Sequence, residues 1–321
     1  MSEPRAFSTA CHRSLTRRGA SFLAVSPACR QAFVVAFAGY GLAGPAVFFL
    51  LVLFLLPVVG VFFIALTDWQ LGAGSFSFVF LANYREAFAD PTFRASLANT
   101  AVYVLIVVPG TLFGGLTVAL LIESGKSCRS FYRAIHFLPF MATVTAMAIV
   151  WEALLHPTIG LVNQIFAAVG LSTANWLRNE NTVVPVLGTI GIWQNLGYAM
   201  VLFLAGLKSI PRDLYDAADV DGADLWIDRL RTVTLPLLGP VSMFVVIVVA
   251  LRALECFDAV KVLTQGGPGN ASEVLLYTLY RESFEYLRTG YGAALAVIFL
   301  AMVGILTLIN ALVMDRKVHY Q

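Results

Sequence analysis

The sequence predicts an all-α, polytopic membrane protein with six transmembrane helices. Hydrophobic residues make up 59% of its 321 residues and charged residues only 12%, a composition too apolar for a soluble domain. Six separated runs are long enough, at about 20 residues, to cross a bilayer as helices. None of these runs alternates apolar and polar residues as a barrel strand does, and lipid admits only helices or closed barrels. The fold class is therefore helical.

The six spans can be placed directly on the sequence. The first run has 27 residues, more than the roughly 7–15 apolar residues of a signal peptide, so it is interpreted as a membrane span. The predicted spans cover residues 40–66, 97–122, 134–155, 183–207, 237–257 and 291–314.

The segments around the spans give the expected domain organisation. The N-terminal part carries five arginines against one acidic residue and has no helical periodicity, which indicates a basic cytoplasmic arm. The expected parts are this arm at 1–39, the first span with its outer segment at 40–94, a transmembrane domain at 95–314 that includes a cytoplasmic loop at 208–236, and a cytoplasmic tail at 315–321.

The distribution of Lys and Arg predicts the orientation of the chain. With the N-terminus inside, the inner segments hold fourteen of these residues and the outer segments six, while Arg252 lies within the fifth span. Cytoplasmic loops of membrane proteins are enriched in Lys and Arg. Both termini and the 208–236 loop are therefore expected in the cytoplasm.

Several function classes are disfavoured by composition and motifs. The net charge is only +2 and the basic residues are dispersed, which gives no indication of nucleic-acid binding. The four cysteines lie singly, without the paired Cys or His spacing of a metal site. Gly125-Lys126-Ser127 looks like the end of a phosphate-binding loop, but that loop needs a glycine where Leu120 stands. We therefore expect no catalytic residues, cofactor or metal in this chain, and any ATP hydrolysis must come from a partner.

The longest charged segment between two apolar ones runs over residues 211–236. Pro211 suits the first position of a helix, and Asp213 places negative charge beside the positive helix N-terminus. The next residues form a small apolar face flanked by aspartates, and Gly222 ends the helix. That face is shallow enough to dock into another protein, and its members are Leu214, Ala217 and Ala218.

This segment resembles the cytoplasmic "EAA" loop of ABC importer permeases. The resemblance rests on Asp216-Ala217-Ala218, then Gly222, then Leu235-Pro236, with Asp216 where the family usually has Glu. Further stretches resemble the carbohydrate branch, including Phe137-Leu138-Pro139 and Leu263 to Pro268, and the residues 316–321 look most like a glycerol-3-phosphate permease.

The resemblance implies a fold, a coupling element and a set of partners. The fold would be that of a type I ABC importer permease in a bacterial cytoplasmic membrane, with membrane lipid around it. The partners would be a second, similar permease, two ATPase subunits that hold ATP and Mg, and an extracytoplasmic solute-binding protein. The loop would seat in a cleft of the ATPase as a coupling helix, through Asp213, Asp216, Ala217, Ala218 and Gly222.

One spacing differs from the family pattern. The family has nine residues between the glycine and an Ile two positions before Leu-Pro, whereas ten residues separate Gly222 from Val233 here. One extra residue rotates the following helix by about 100° unless a bulge absorbs it.

Polar side chains inside the spans are the candidate solute contacts, because such groups are costly in lipid and usually face the bundle interior or a water-filled path. Amides pair with hydroxyls, and aromatic rings offer flat faces to a sugar. The candidates are Trp193, Gln194, Asn195 and Tyr198 in the fourth span and Arg252, Glu255 and Asp258 in the fifth.

Each candidate also has a structural interpretation. Gln194 and Asn195 could join spans by hydrogen bonds, Trp193 could be a packing residue, and Arg252 with Glu255 could form a static ion pair. For Glu152 and His156, at the end of the third span, an interfacial role is preferred. The glycines of the second span, Gly110, Gly114 and Gly115, are expected to be close-packing sites.

The outer segments also carry local predictions. Residues 83–88 read as an amphipathic helix with Tyr84 and Phe88 packing down, and residues 159–171 as a short interfacial helix. Gln265 to Asn270 is a turn-rich break.

The function predicted from these features is a permease subunit of an ATP-driven importer for a sugar, an oligosaccharide or a polyol phosphate. A glycerol-3-phosphate or glycerophosphodiester importer is the alternative within the family. An ion-gradient-driven secondary transporter would show inverted repeats and broken helices around a midplane site. A membrane enzyme would need a nucleophile and a base, and no such constellation is found.

Overall fold

The computed structural model describes residues 41–125, 127–223 and 225–317. Within these ranges the chain is helical, with one isolated β-bridge between Thr67 and Phe78, so the predicted all-α class is confirmed. The predicted basic arm, the tail residues 318–321, Lys126, Cys11 and Cys29 lie outside the described residues.

Four helices are long and apolar enough to cross a membrane unbroken. At 1.5 Å per residue even the shortest of them, with 24 residues, reaches about 36 Å, against a hydrocarbon core of about 30 Å. They are α1 (Gly41–Ile64), α3 (Pro91–Ser124), α7 (Val183–Ser209) and α13 (Thr289–Lys317), and α1 includes a π-helical turn at Leu51–Leu55.

The predicted third span is bent into a pair of helices, and a second bent pair has its bend at the start of the predicted fifth span. The third consists of α4 (Arg129–Met141) and α5 (Val144–Leu154), bent by 101°, and with both pairs counted the described chain has up to six spans. Ala142 and Thr143 are extended between the two helices. A hydropathy window counts apolar residues and does not register such a bend.

The fifth span bends at a proline. It joins α9 (Trp226–Leu237) to the run Gly239–Leu263 at an angle of 67°. Pro240 stands in the first turn of the second part, where it offers no N–H to the preceding turn, and in a continuous helix its ring would clash with the carbonyl four residues earlier. This run comprises α10 (Gly239–Leu254) and α11 (Asp258–Leu263).

The centre of the described core is the parallel pair α3 and α7. A Cβ on Gly115 would lie 2.6 Å from Ala199 Cβ, and one on Gly188 would lie 2.7 Å from Ile106 Cγ2. Gly110 and Gly114 likewise face α7 side chains at close range. Small residues let transmembrane backbones approach, as predicted for these α3 glycines.

Shorter helices connect these spans. They are α2 (Ala82–Ala89), α6 (Leu161–Ala168), α8 (Arg212–Val220) and α12 (Leu275–Tyr280), and α12 continues into a π-helical turn at Arg281–Glu285. The predicted 159–171 helix is present as α6, where the buried Asn163 accepts hydrogen bonds from Trp176 Nε1 at 2.8 Å and from the Ala174 N–H at 3.2 Å.

The register predicted for the 83–88 helix holds for Tyr84, which is half-buried against the cluster of Ala65, Ala293 and Ala294, but not for Phe88. Asn83 and Ala87 form the buried face of α2, while Phe88 is 60% exposed. The Asn83 amide donates to the Ala65 and Thr67 carbonyls at 2.9 and 2.8 Å. These carbonyls follow the last turn of α1, and a buried carbonyl needs a donor, so satisfying them decides the helix rotation.

Candidate functional site

A cavity of about 210 Å³ lies where α3, α5 and α7 meet the break between α10 and α11. Five residues predicted to contact the solute line it, namely Gln194, Asn195, Arg252, Glu255 and Asp258. Sequence reasoning missed Tyr103, Val144, Cys256, Phe257 and Ala259, which complete the lining. Among these residues, Tyr103 carries a hydroxyl inside a predicted span, and this is the signal that could have identified it.

The break between α10 and α11 shapes the cavity. Helical geometry stops after Leu254, and Phe257 (φ −129°, ψ −57°) starts the next helix. Non-helical backbone at membrane depth is tolerated where it lines a cavity, since its polar groups can then be solvated. The break therefore places two carboxylates, Glu255 and Asp258, at a wettable surface rather than in lipid.

Arg252 and Glu255 do not form the ion pair considered from the sequence. No carboxylate lies within 4.0 Å of the Arg252 guanidinium in the described part of the chain. The guanidinium instead lies 4.6 Å from the Phe140 ring centroid and 5.5 Å from that of Tyr198. These two rings stack at 5.0 Å, so a cation–π contact holds the charge at the cavity wall.

The two amides of α7 do not join neighbouring spans. Asn195 Nδ2 donates to the Gly191 carbonyl of the same helix at 2.9 Å, and Asn195 is 9% exposed. Because this bond stays within α7, the interhelical role considered from the sequence does not describe Asn195. Gln194 is half-buried at the cavity.

Trp193 and Tyr198 lie outside the cavity lining. The Trp193 ring contacts Trp151 edge-to-face at a centroid distance of 5.5 Å, which matches the packing interpretation. Tyr198 contributes indirectly, because it stacks on Phe140 beneath Arg252. Glu152 and His156 are exposed at the end of α5 and beyond, away from the cavity.

The second candidate site is helix α8 in the 208–236 loop. Pro211 precedes it as an extended N-cap residue, one position earlier than predicted. The Ala223 N–H bonds the Ala218 carbonyl at 2.9 Å and the Gly222 N–H bonds that of Asp219 at 3.2 Å, the two bonds of a Schellman motif. Gly222 has φ +90°, the left-handed conformation that this helix end requires, and it ends the helix as predicted.

The face that α8 presents outward differs from the predicted one at a single residue. Ala218 and Tyr215 pack against the chain's own core, and Tyr215 Oη lies 3.1 Å from Thr234 Oγ1. The other predicted coupling residues are exposed, namely Asp213, Asp216, Ala217 and Gly222. The exposed part of the predicted face is therefore Leu214 and Ala217 with the flanking acids, and Ala218 belongs to the inner face.

A π-helical turn at Leu230–Thr234 lies where the extra residue was noted. A π turn accommodates one residue more than an α turn, so it absorbs the added rotation before Leu235-Pro236. Arg229 ties this helix back to α8, because its Nε lies 2.7 Å from Asp219 and 3.1 Å from the Ala223 carbonyl. Val220, Leu225 and Trp226 extend the exposed surface, with 88%, 65% and 69% exposure.

A buried ion pair that the sequence did not reveal holds the segment between α11 and α13. The Glu273 side chain is fully buried, with Arg281 Nη1 at 3.0 Å and Thr278 Oγ1 donating at 3.1 Å. Burial raises the Glu273 pKa, and Arg281 opposes that rise. A Cβ on Gly266 (φ +82°) would collide with this carboxylate, which explains a glycine in the predicted turn.

The same loop is also attached to α3. Asn99 of α3 donates hydrogen bonds to the Asn270 and Glu273 carbonyls at 3.0 Å.

Comparison with known proteins adds a family match and full-length relatives. Residues 115–319 match the family described as "Binding-protein-dependent transport system inner membrane component". The trehalose/maltose transport system permease protein MalF of Thermococcus litoralis is 33% identical over 270 residues, which cover 84% of this chain and 90% of that protein. The arabinooligosaccharides transport system permease protein AraP of Bacillus subtilis is 32% identical over 282 residues, 85% of this chain and 87% of that one.

Solved structures give the same fold. A chain of a bacterial alginate ABC transporter, solved in complex with an alginate pentasaccharide-bound periplasmic protein, superposes with a TM-score of 0.77. The match covers 89% of this chain and 96% of that chain at 20% identity, so it bears on the fold alone.

Proposed function

Because the chain belongs to the family of inner membrane components of binding-protein-dependent transport systems, we propose that it is one permease subunit of an ATP-driven sugar importer. It receives a sugar or oligosaccharide from an extracytoplasmic binding protein and releases it into the cytoplasm. The observation that carries the proposal is the cavity at the α10–α11 break, where amide, guanidinium and carboxylate groups converge beside aromatic rings.

The other subunits follow from the family. A second permease completes the path, and two ATPase subunits with ATP and Mg supply the energy. The small exposed face of α8, with its Schellman end, supports its assignment as the coupling helix that seats in an ATPase cleft. The family match also favours the ABC class over the ion-gradient alternative, despite the two bent spans.

The cavity charges favour a neutral solute over a phosphorylated one. Its lining holds one cation, Arg252, against two carboxylates, Glu255 and Asp258. A phosphate ester would approach both carboxylates, which is repulsive in a partly desolvated site. A neutral sugar can donate hydroxyls to the carboxylates and accept from Arg252 and Gln194. The relatives named for trehalose/maltose and for arabinooligosaccharides are consistent with this preference.

We expect Asp258→Asn to reduce sugar uptake by the complete importer roughly tenfold or more, because a hydrogen bond to a charged group contributes about 1.5–3 kcal/mol. The measurement is uptake of radiolabelled maltose, trehalose and arabinotriose, with glycerol 3-phosphate as the anionic comparison. Glu152→Gln is the matched control, since this exposed acid lies outside the cavity. Preferential uptake of glycerol 3-phosphate by the parent would overturn the neutral-solute assignment, and full activity of Asp258→Asn would remove the cavity from the pathway.

We expect both termini to face the cytoplasm and the Gln265–Asn270 turn to face outside, because Lys and Arg are concentrated in the inner loops. Enzyme reporters fused to either terminus or inserted at Gly267 test this by their compartment-specific activity. A periplasmic signal from either terminus would contradict the orientation and with it the position of α8 beside an ATPase.

A further inference from the structure

A row of three aromatic rings leads from the cavity to the surface of the segment between α11 and α13. Phe257 lines the cavity. Its ring contacts Tyr280 at a centroid distance of 5.1 Å, and Tyr280 contacts Phe284 at 5.7 Å. Phe284 is 64% exposed, whereas Phe257 and Tyr280 are half-buried. We call these three residues the aromatic row.

The backbone around the aromatic row is held firmly. Tyr280 ends α12 and Phe284 lies in the π-helical turn that follows it. Arg281, between them, bonds the buried Glu273 and also donates to Tyr286 Oη. Rings on a rigid backbone lose little conformational entropy when a ligand binds, so less of the binding free energy is lost to ordering them.

A hydrogen-bond donor accompanies the rings. Lys261 Nζ lies 4.0 Å from the Tyr280 centroid and 5.3 Å from that of Phe257. An ammonium group has three donors and needs no carboxylate to hold it when aromatic faces surround it. A sugar ring is recognised by flat apolar faces that stack on it and by a donor, here the ammonium group, that can bond its hydroxyls.

Burial distinguishes the aromatic row from ordinary core packing. Core aromatic clusters are enclosed at both ends, whereas this row opens into a polar cavity at Phe257 and into solvent at Phe284. A bilayer is a poorer occupant, because Lys261, Glu285 and Arg281 surround the rings.

From this geometry we infer that the aromatic row is an entry track for oligosaccharides, on which successive sugar rings stack as the solute moves from the surface to the cavity. The inference rests on the proposed function and extends it, since it assigns a binding surface outside the cavity and predicts a preference for chains over single sugars. A longer chain can occupy several rings at once, whereas a monosaccharide occupies one.

The test uses the complete importer in proteoliposomes, with arabinotriose and arabinose as solutes delivered by the binding protein. We expect Tyr280→Ala and Phe284→Ala each to slow arabinotriose uptake roughly threefold to tenfold, the scale of one aromatic contact. Arabinose uptake should change less than twofold, and Phe284→Trp should restore arabinotriose uptake. Phe88→Ala is the matched control, because Phe88 is an equally exposed phenylalanine on α2, outside the aromatic row.

ATPase stimulation by the loaded binding protein separates the track from a docking role. It should be unchanged in both variants if the rings contact the solute. Loss of that stimulation would assign the rings to binding-protein docking and overturn the track. Uptake equal to that of Phe88→Ala, or equal losses for the two solutes, would also overturn it. Failure of the parent importer to take up any of arabinose, arabinotriose, maltose and trehalose would instead contradict the proposed function itself.

Discussion

A permease carrying Ala217→Leu is expected to insert and assemble normally but to lose ATP-driven uptake. Ala217 is exposed on the outer face of α8, so a larger side chain there meets nothing within the described chain. In the proposed assembly it meets the floor of the ATPase cleft. Losing contacts over a few small residues costs about 1–3 kcal/mol, or roughly ten- to a hundredfold in association.

The measurements are co-purification of the ATPase subunit and uptake of a sugar that the parent transports. Ala167→Leu is the matched control, since it makes the same change on an exposed alanine of α6. Ala218→Leu is not a clean test, because Ala218 packs against the core and a larger side chain there strains α8 itself. Normal coupling in Ala217→Leu would remove α8 from the ATPase interface.

Gly222 acts on the same coupling element through the backbone. At φ +90° a β-branched residue is strongly disfavoured, whereas nothing occupies the space that its Cβ would take. Gly222→Val should therefore redirect the chain leaving α8 without a steric clash elsewhere, and reduce coupling as Ala217→Leu does. Gly239→Val controls for the added bulk, since Gly239 also has open space around its Cβ but no positive φ.

Arg281→Met is expected to give the largest loss of stability, about 3–5 kcal/mol, because it leaves the fully buried Glu273 without its partner. The readout is the thermal unfolding midpoint of the purified transporter. Arg94→Met, on an exposed arginine outside any ion pair of the described chain, should be nearly neutral. The double variant Arg281→Met/Glu273→Gln should recover most of the loss, because it also removes the buried charge.

The Arg281→Met variant should also become more pH-dependent than the parent. Burial raises the Glu273 pKa in the folded protein, and removing Arg281 takes away the charge that opposes this rise. A raised folded-state pKa means that stability is retained below the ordinary Glu pKa of about 4.3 and is lost as pH rises through the folded value. The deficit should therefore be smaller near pH 5 than near pH 8. An equal deficit at both values would mean that Glu273 is not the unpaired group.

Much of this protein follows from the sequence because its strongest signals are local. Apolar run length predicts the membrane-spanning segments, since the bilayer sets a minimum that α1, α3, α7 and α13 satisfy. The Gly222 helix end was predictable because a left-handed conformation favours one residue type. The polar residues of the cavity were predictable individually, because ionisable groups inside spans are rare.

Tertiary structure decided what depends on distant neighbours. The buried face of α2 is decided by the carbonyls of Ala65 and Thr67, which accept hydrogen bonds from Asn83. The inward face of α8 is decided by the contact between Tyr215 and Thr234. The Arg252 guanidinium contacts two aromatic rings of other helices instead of the nearby carboxylate of Glu255. Stacking on rings at a cavity wall leaves the guanidinium accessible to water. The Glu273–Arg281 pair and the Phe257–Tyr280 contact join residues whose sequence spacing carries no periodic signal. Such contacts are set by how the bent spans pack, and a linear pattern does not contain that information.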